Sequence, residues 1–117
     1  MNEVSEKEFT HLKIHTQYSI CEGALRTADL AKFCKKNEIK AVGLCDSNNL
    51  CGALEFSESI AKSKTQPIIG TQINIRHKGY IGKLPLFAKD LVGYKNLIKL
   101  SSKSLANKGI LPILPLY

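Results

Sequence analysis

Polar side chains stand where the apolar segments of the chain end, and these side chains are the candidates for chemistry. In order they are His15, Glu22, Asp46, Ser47, Asn48 and Gln72. Sites in a sheet or barrel of βα units form at the carboxyl ends of the strands, so we expect these groups to converge on one edge. His11 and Lys13 precede His15 at alternate positions, and a strand would turn all three to one side. Such a group could bind a metal ion or a phosphate.

Lys13 counts against a metal ion. A charged ammonium has no lone pair to donate, and between two imidazoles it would repel a cation and favour an anion or a carboxylate. An ion pair from Lys13 to Asp46 or Glu22 could fill the space of an ion. The residue types therefore leave two interpretations open, a metal site and a hydrogen-bonded polar cluster that fills the strand ends.

Other kinds of site have weaker support. Ser19, His15 and Asp46 could form a nucleophile triad, but no GxSxG elbow surrounds Ser19. Neither GxGxxG nor GxxxxGK[ST] occurs, which excludes nucleotide binding by those loops. The cysteines match no CxxC pair, and we expect reduced, mostly buried thiols. They are Cys21, Cys34, Cys45 and Cys51.

Hydrophobic periodicity predicts the strands that must position these residues. Alternation over residues 9–15 predicts a first strand, and the apolar run 39–44 predicts a buried strand that the polar residues 46–49 break. A third strand is predicted over residues 67–75. After a turn at 77–79, a neighbouring strand is predicted over residues 80–87.

Three helices are predicted between and after the strands. Thr27 can cap the first, which ends near residues 35–37. The second carries apolar residues at helical spacing over residues 53–61, and the third is capped by Asp90 and stopped by Gly109. The apolar tail 110–117 contains two prolines, which argue against a helix or a central strand. The predicted fold class is α/β, with mainly parallel strands alternating with helices in one domain.

Charge is unevenly distributed along the 117 residues, whose net charge is +7. Residues 59–117 contain ten Lys and Arg but only one acidic residue, Asp90. Solvated lysines account for this excess, and contact with a polyanion is the alternative. No aromatic-rich basic stretch supports direct nucleic-acid readout. Because there is no apolar run of about 18 residues and the start is acidic and polar, we expect a cytoplasmic protein without a membrane partner.

Four ordered segments carry the motifs of a known family. They are FTHLKIHTQYSICEGA (9–24), AVGLCDSNNLCGALEF (41–56), QPIIGTQ (66–72) and LFAKDLVGYKNLIKLSS (86–102). Together they resemble the PHP (polymerase and histidinol phosphatase) domain at the amino terminus of the bacterial DNA polymerase III alpha subunit. The resemblance implies a partial PHP-type (β/α) barrel over residues 1–117, with residues 1–8 flexible and residues 110–117 cut inside the parent fold.

The resemblance also implies a degenerate metal site. Metal-binding members hold a cluster that can hydrolyse phosphoesters, and they carry His, His and Glu where this chain has Lys13, Ser47 and Gln72. The ligands that survive are His15, Glu22 and Asp46, so the vestigial site comprises six positions. We expect no bound Zn²⁺ or Mn²⁺, no catalytic residue and no phosphoesterase activity, because lone pairs and negative charge are lost where a divalent ion needs both.

The function implied is that of a scaffold within a DNA-synthesising enzyme. DNA-directed DNA polymerase activity and its Mg²⁺ would belong to the parent chain, because the three aspartates here lie on separate predicted elements. The expected partners are the rest of the alpha subunit, a proofreading exonuclease subunit, DNA through the parent, and a second copy of the fragment. The alternatives are a stand-alone metal-dependent phosphoesterase, a polymerase-associated exonuclease, and a module whose basic half contacts DNA.

Overall fold

The computed structural model describes residues 9–19, 23–106 and 110–112. Its elements are α1 (Thr27–Lys36), β1 (Ala41–Ser47), α2 (Ala53–Lys62), β2 (Gln66–His77), β3 (Tyr80–Phe87), α3 (Leu91–Ala106) and β4 (Ile110–Pro112). None of the helices in these ranges is long and apolar enough to cross a membrane.

The strands form one mixed sheet around β2. β1 runs parallel to β2, with Ala41 opposite Gln66 and Ser47 opposite Gln72, whereas β3 returns antiparallel. β4 pairs in parallel with residues 74–76 of β2, whose other edge is occupied there by β3. β4 therefore extends the sheet beyond the carboxyl end of β1. The α/β architecture is confirmed, and the partial PHP-type barrel stays a prediction.

A tight turn joins β2 to β3. Lys78 and Gly79 both have positive φ angles, 48° and 81°, as a two-residue type I′ turn requires. The Ala88 amide donates to the Ile69 carbonyl at 2.8 Å. Because hydrogen-bonded pairs alternate in an antiparallel ladder, this bond turns the nitrogen of Pro85, which stands opposite Gln72, away from β2.

The hydrophobic core lies between the helices and one face of the sheet, which we call the helix-side face. Alternation along β1 places Val42, Leu44 and Asp46 on this face, and Gly43, Cys45 and Ser47 on the opposite one, the far face. The core residues are Leu30, Ala31, Cys34, Val42, Leu44, Ala53, Phe56 and Ile60. The apolar stripes of α1 and α2 thus position the sheet whose end carries the candidate site.

The first predicted strand is wrong as a regular element. Residues 9–15 form one isolated parallel bridge, between Ile14 and Leu44. The Gly43 amide donates to the His11 carbonyl, and the Gly43 carbonyl accepts from Ile14. In a regular parallel ladder, one residue bonds to two residues of the neighbouring strand that are two positions apart. The partners of Gly43, His11 and Ile14, are three positions apart, so the segment 9–15 contains one extra residue here. The extra residue breaks the alternation from which a common side for His11, Lys13 and His15 was predicted.

The remaining differences lie at element ends. β1 continues through Asp46 and Ser47, beyond the expected break. Thr27 is the first helical residue, and no side chain caps α1 at Arg26. The tail contributes the short strand β4 despite Pro112. The predicted stop at Gly109, residues 1–8 and residues 113–117 lie outside the described residues. The predicted helices and the strands β2 and β3 are otherwise confirmed within a few residues.

Candidate functional site

The last two residues of β1 leave the sheet on opposite faces. Asp46 is opposite Thr71 and lies on the helix-side face, whereas Ser47 is opposite Gln72 and lies on the far face. The structure therefore brings Ser47 and Gln72 together, as the sequence predicts. It separates Asp46 from both of them.

The Asp46 carboxylate is fully buried and holds the preceding loop. Its Oδ1 accepts from the Thr16 amide at 2.6 Å and from the Ser19 hydroxyl at 2.7 Å, and its Oδ2 accepts from the Thr16 hydroxyl at 2.7 Å. Its backbone carbonyl accepts from the Thr71 hydroxyl at 2.8 Å. Because both carboxylate oxygens are engaged by short, charge-assisted bonds, Asp46 fastens residues 16–19 to the end of β1.

The geometry does not form a nucleophile triad. In a triad the imidazole stands between the hydroxyl and the carboxylate. Here the Ser19 hydroxyl donates directly to Asp46 and accepts from the Ser47 amide at 3.0 Å, while His15 Nδ1 lies 3.4 Å away. Ser19 is also only 1% exposed. The Ser19 proton is directed to a carboxylate and its oxygen is shielded, so it is not placed to attack a substrate.

Lys13 acts electrostatically on Cys45 and is not paired with Asp46 in the described residues. Lys13 is exposed, and across the described residues it forms no ion pair with Asp46, whose oxygens are engaged by Thr16 and Ser19. Burial raises the pKa of the Cys45 thiol, and the positive charge of Lys13 partly opposes that rise. Hydroxyl and amide donors therefore take the place of an ion pair from Lys13 to Asp46, and the alternative partner Glu22 lies outside the described residues.

Gln72 is a buried side chain with an unmet hydrogen-bonding group. It is 3% exposed, and its Oε1 has no partner among the described residues. Its backbone carbonyl is satisfied, because the Asn48 amide donates to it at 2.7 Å. An unpaired buried acceptor costs about 1–3 kcal/mol. Within the described ranges, the far face thus carries a buried carboxamide oxygen without a hydrogen-bond donor.

A second carboxylate fastens the same loop from outside. Glu55, on α2, accepts at Oε2 from the Tyr18 hydroxyl at 2.6 Å and at Oε1 from the Thr27 hydroxyl. The bonds from Thr27 and Tyr18 lower the pKa of Glu55, and the bond to Glu55 raises the pKa of Tyr18. A Cβ added to Gly52 would lie 2.7 Å from the Tyr18 ring, so the ring needs a glycine there.

Sequence reasoning missed this network and the donors to Asp46. Tyr18 and Glu55 are 37 residues apart, and no motif marks the pair. Thr16 adjoins His15 in the opening motif, yet its role depends on a fold in which Asp46 approaches from another strand. Asn49, whose amide donates to the Tyr18 and Ser47 carbonyls, was likewise considered only as a strand breaker.

The residues present do not suit the metal cluster that the family implies. Across the described ranges, no group of three or more His, Cys, Asp or Glu side chains is placed to hold an ion. The far face offers the Ser47 hydroxyl and the Gln72 carboxamide, a pair without negative charge. His15 is half-buried beside Ser19, and Glu22 lies outside the described residues.

Comparisons with known proteins place this fold in a family. The model of the PHP domain matches residues 11–112. The DNA polymerase III alpha subunit of Rickettsia conorii is 41% identical over 96 residues, which is 81% of this chain and 8% of that protein. Those of Helicobacter pylori and Thermus aquaticus are 39% and 37% identical, over 82% and 86% of this chain. The chain spans 8–9% of the length of these curated relatives.

A solved structure shows the same fold. The crystal structure of a protein described as a metal-dependent phosphoesterase, from Bifidobacterium adolescentis, superimposes with a TM-score of 0.63 at 18% identity. The match covers 83% of this chain and 32% of that one. The family model spans most of the chain and the solved structure shares its fold. The chain therefore belongs to the PHP domain family.

Proposed function

We propose that this chain serves as the amino-terminal part of the PHP domain of a bacterial DNA polymerase III alpha subunit, and that its strand-end site is a structural junction without a metal. Relatives of that name are about 40% identical over four fifths of the chain. DNA-directed DNA synthesis, with its Mg²⁺, belongs in this proposal to the parent protein in the cytoplasm. The partners are the rest of the alpha subunit and its exonuclease subunit, and DNA through the parent.

The observation that carries the metal-free site is the placement of Asp46. An aspartate that holds a divalent ion must present free lone pairs toward the other ligands. Both Asp46 oxygens face Thr16 and Ser19, on the opposite side of the sheet from Ser47 and Gln72. Lys13 also stands where metal-binding members carry a histidine, so a lone pair is missing from the set. The site is therefore suited to fixing loops to strands, which supports a scaffolding role.

Metal content and hydrolysis test the proposal. The purified 117-residue chain is incubated with Mn²⁺ or Zn²⁺, freed of unbound ion and measured by elemental analysis, and a phosphodiester such as bis(p-nitrophenyl) phosphate is assayed in parallel. We expect substoichiometric metal and no hydrolysis above that of the free ions. The matched variant Lys13→His/Ser47→His/Gln72→Glu returns the family's ligand types, and we expect it to bind more metal than the natural chain.

One outcome would favour the stand-alone phosphoesterase instead. Stoichiometric metal in the natural chain, lost in His15→Ala, together with metal-dependent hydrolysis would overturn the structural junction. The fold likeness to the Bifidobacterium protein gives that alternative its only support, and it comes from a protein 18% identical to this chain.

A further inference from the structure

The tip of the β2–β3 hairpin, residues 76–82, is a second feature that the strand-end site does not use. Across the hairpin, His77 stands opposite Tyr80 and Arg76 stands opposite Ile81. All four residues are exposed, and Tyr80 is 82% exposed. A tyrosine ring left open to this degree on a strand is a surface that a ligand can cover.

The tip is held in one shape. The type I′ turn at Lys78 and Gly79 fixes the ends of both strands, and β3 continues to pair with β2 for eight residue pairs. The side chains at the tip are therefore displayed by a rigid ribbon, which limits the ordering entropy lost when a ligand binds.

One face of the tip is aromatic and has free space beside it. His77 and Tyr80 form a cross-strand pair, so their side chains lie on the same face. Gly82 is two residues after Tyr80 on this face, and a Cβ placed at Gly82 would meet no atom within 4 Å. The absent side chain leaves room for a flat group to lie against the Tyr80 ring.

Two cations lie next to that face, one in the turn and one on the other side of the ribbon, and the surrounding sequence is poor in acidic residues. Lys78 is in the turn and Arg76 is on the opposite face of the ribbon, both exposed. Asp90 is the single acidic residue among residues 59–117. The linear sequence shows no aromatic-rich basic stretch, but the hairpin gathers one aromatic face and two cations at a single tip.

We propose that the hairpin tip binds single-stranded nucleic acid, with a base stacked on the Tyr80 ring and neighbouring phosphates held by Arg76 and Lys78. Stacking on an exposed aromatic ring accepts any base, and flanking cations track the backbone, as in single-strand-binding surfaces. A paired duplex buries its base faces and cannot offer this stack. The proposal does not depend on whether the strand-end site binds a metal.

Fluorescence anisotropy with labelled oligo(dT) of about 20 nucleotides tests the proposal, using the full chain and titrating salt from about 50 to about 200 mM. We expect Tyr80→Thr, which replaces the ring with a side chain that also favours a strand, to weaken binding about tenfold without changing the salt slope. Tyr80→Phe should bind like the natural chain. Arg76→Gln/Lys78→Gln should reduce the magnitude of the salt slope by about 1.4, since each single-strand phosphate contact contributes about 0.7.

The control lies on α1, where an exposed Phe33 also stands among lysines. Phe33→Thr and Lys32→Gln/Lys36→Gln should leave affinity and salt slope unchanged. Circular dichroism melts verify that each variant is folded. The proposal is overturned if the natural chain does not bind oligo(dT), if Tyr80→Thr binds normally, if the α1 variants lose as much affinity, or if a duplex of equal length binds as tightly.

Discussion

Two carboxylates hold the loop of residues 16–19, one from inside the protein and one from its surface. Asp46 accepts three hydrogen bonds from Thr16 and Ser19 and is fully buried. Glu55 accepts from Tyr18 and Thr27 and is exposed. The donors are of similar kinds, so the difference in burial decides what each carboxylate contributes.

Burial changes the consequence of losing either partner. Water can replace the Tyr18 bond at the exposed Glu55, so that bond has the small net value of an exposed contact, although the second donor, Thr27, is itself buried. Asp46 and its donors Thr16 and Ser19 are all buried, so removing the carboxylate leaves buried donors without that partner. The comparison teaches that a carboxylate at the end of a strand can serve as a structural anchor, because the buried loop depends on it.

The largest expected effect is that of Asp46→Ala. It leaves the Thr16 amide and hydroxyl and the Ser19 hydroxyl unpaired in the interior, and we expect a loss of about 3 kcal/mol or more in the free energy of unfolding. Urea denaturation followed by circular dichroism measures it. The control Asp29→Ala removes an exposed aspartate from the first turn of α1 and should cost about 0.5 kcal/mol. Equal losses in the two variants would contradict the anchoring role.

Ser19→Ala should have an intermediate effect. It removes one of the three donors to Asp46 and the acceptor of the Ser47 amide, so we expect a loss of about 1–2 kcal/mol in the same denaturation experiment. A loss equal to that of Asp46→Ala would show that the Thr16 bonds contribute nothing. No loss would show that Ser19 is not bonded to Asp46 in solution.

Gln72→Met should act in the opposite direction. Its buried Oε1 has no partner in the part of the chain that the structure describes, and a thioether of similar size removes the unmet acceptor. We therefore expect a gain of about 1 kcal/mol in the free energy of unfolding. The matched variant Gln72→Glu should destabilise the protein at neutral pH, because it places a carboxylate in the same buried position. A stability loss in Gln72→Met would show that the carboxamide oxygen finds a donor in solution.

We expect the smallest effect on stability from Glu55, and the pH dependence of stability tests the direction of that effect. The hydrogen bond from Thr27 contributes most to the lowered pKa of Glu55. Because the folded pKa is lowered, the ionised Glu55 side chain stabilises the fold above the unfolded pKa of about 4.3. This contribution is lost as pH falls through the lower folded pKa. Tyr18 has a raised pKa, so its contribution is present below about pH 10 and is lost as pH rises through the raised value. Urea midpoints of the natural chain and Glu55→Gln should converge at acid pH.

If those midpoints keep their full separation below about pH 3, Glu55 does not act through its charge. The comparison of the two carboxylates would then rest on packing rather than on burial of a charged group.

Local patterns predicted the elements of this fold better than the positions of individual groups. The apolar spacing of α1 and α2 follows from burying one stripe against a sheet, so Leu30, Phe56 and Ile60 are in the core as expected. The segment 9–15 has the two-residue alternation of a strand, but the residue inserted beside Gly43 makes the segment irregular. A Cβ on Gly43 would lie 2.7 Å from the Leu12 carbonyl oxygen, a contact that only the folded structure reveals.

The candidate site could be predicted only as a set of positions. Adjacent residues in a strand face opposite sides of the sheet, so Asp46 and Ser47 do not bind one ligand together. This conclusion requires knowing that β1 includes both residues, which the sequence pattern did not indicate. The anchor itself needed Thr16 and Ser19, which are ordinary hydroxyl residues in sequence. Long-range pairs such as Tyr18 with Glu55 depend on how α2 packs, and nothing local encodes them.

The outward nitrogen of Pro85 has a consequence for how this protein behaves in concentrated solution. Among the described residues β3 pairs only with β2, so its other edge is free to accept a strand from another molecule. A strand added there would find no amide donor at Pro85, and the exposed Lys83 adds a charge two residues earlier on the same strand. Because Pro85 cannot donate a hydrogen bond, it disrupts the pairing of β3 with a strand from another molecule. This limits aggregation through the exposed edge of an apolar strand.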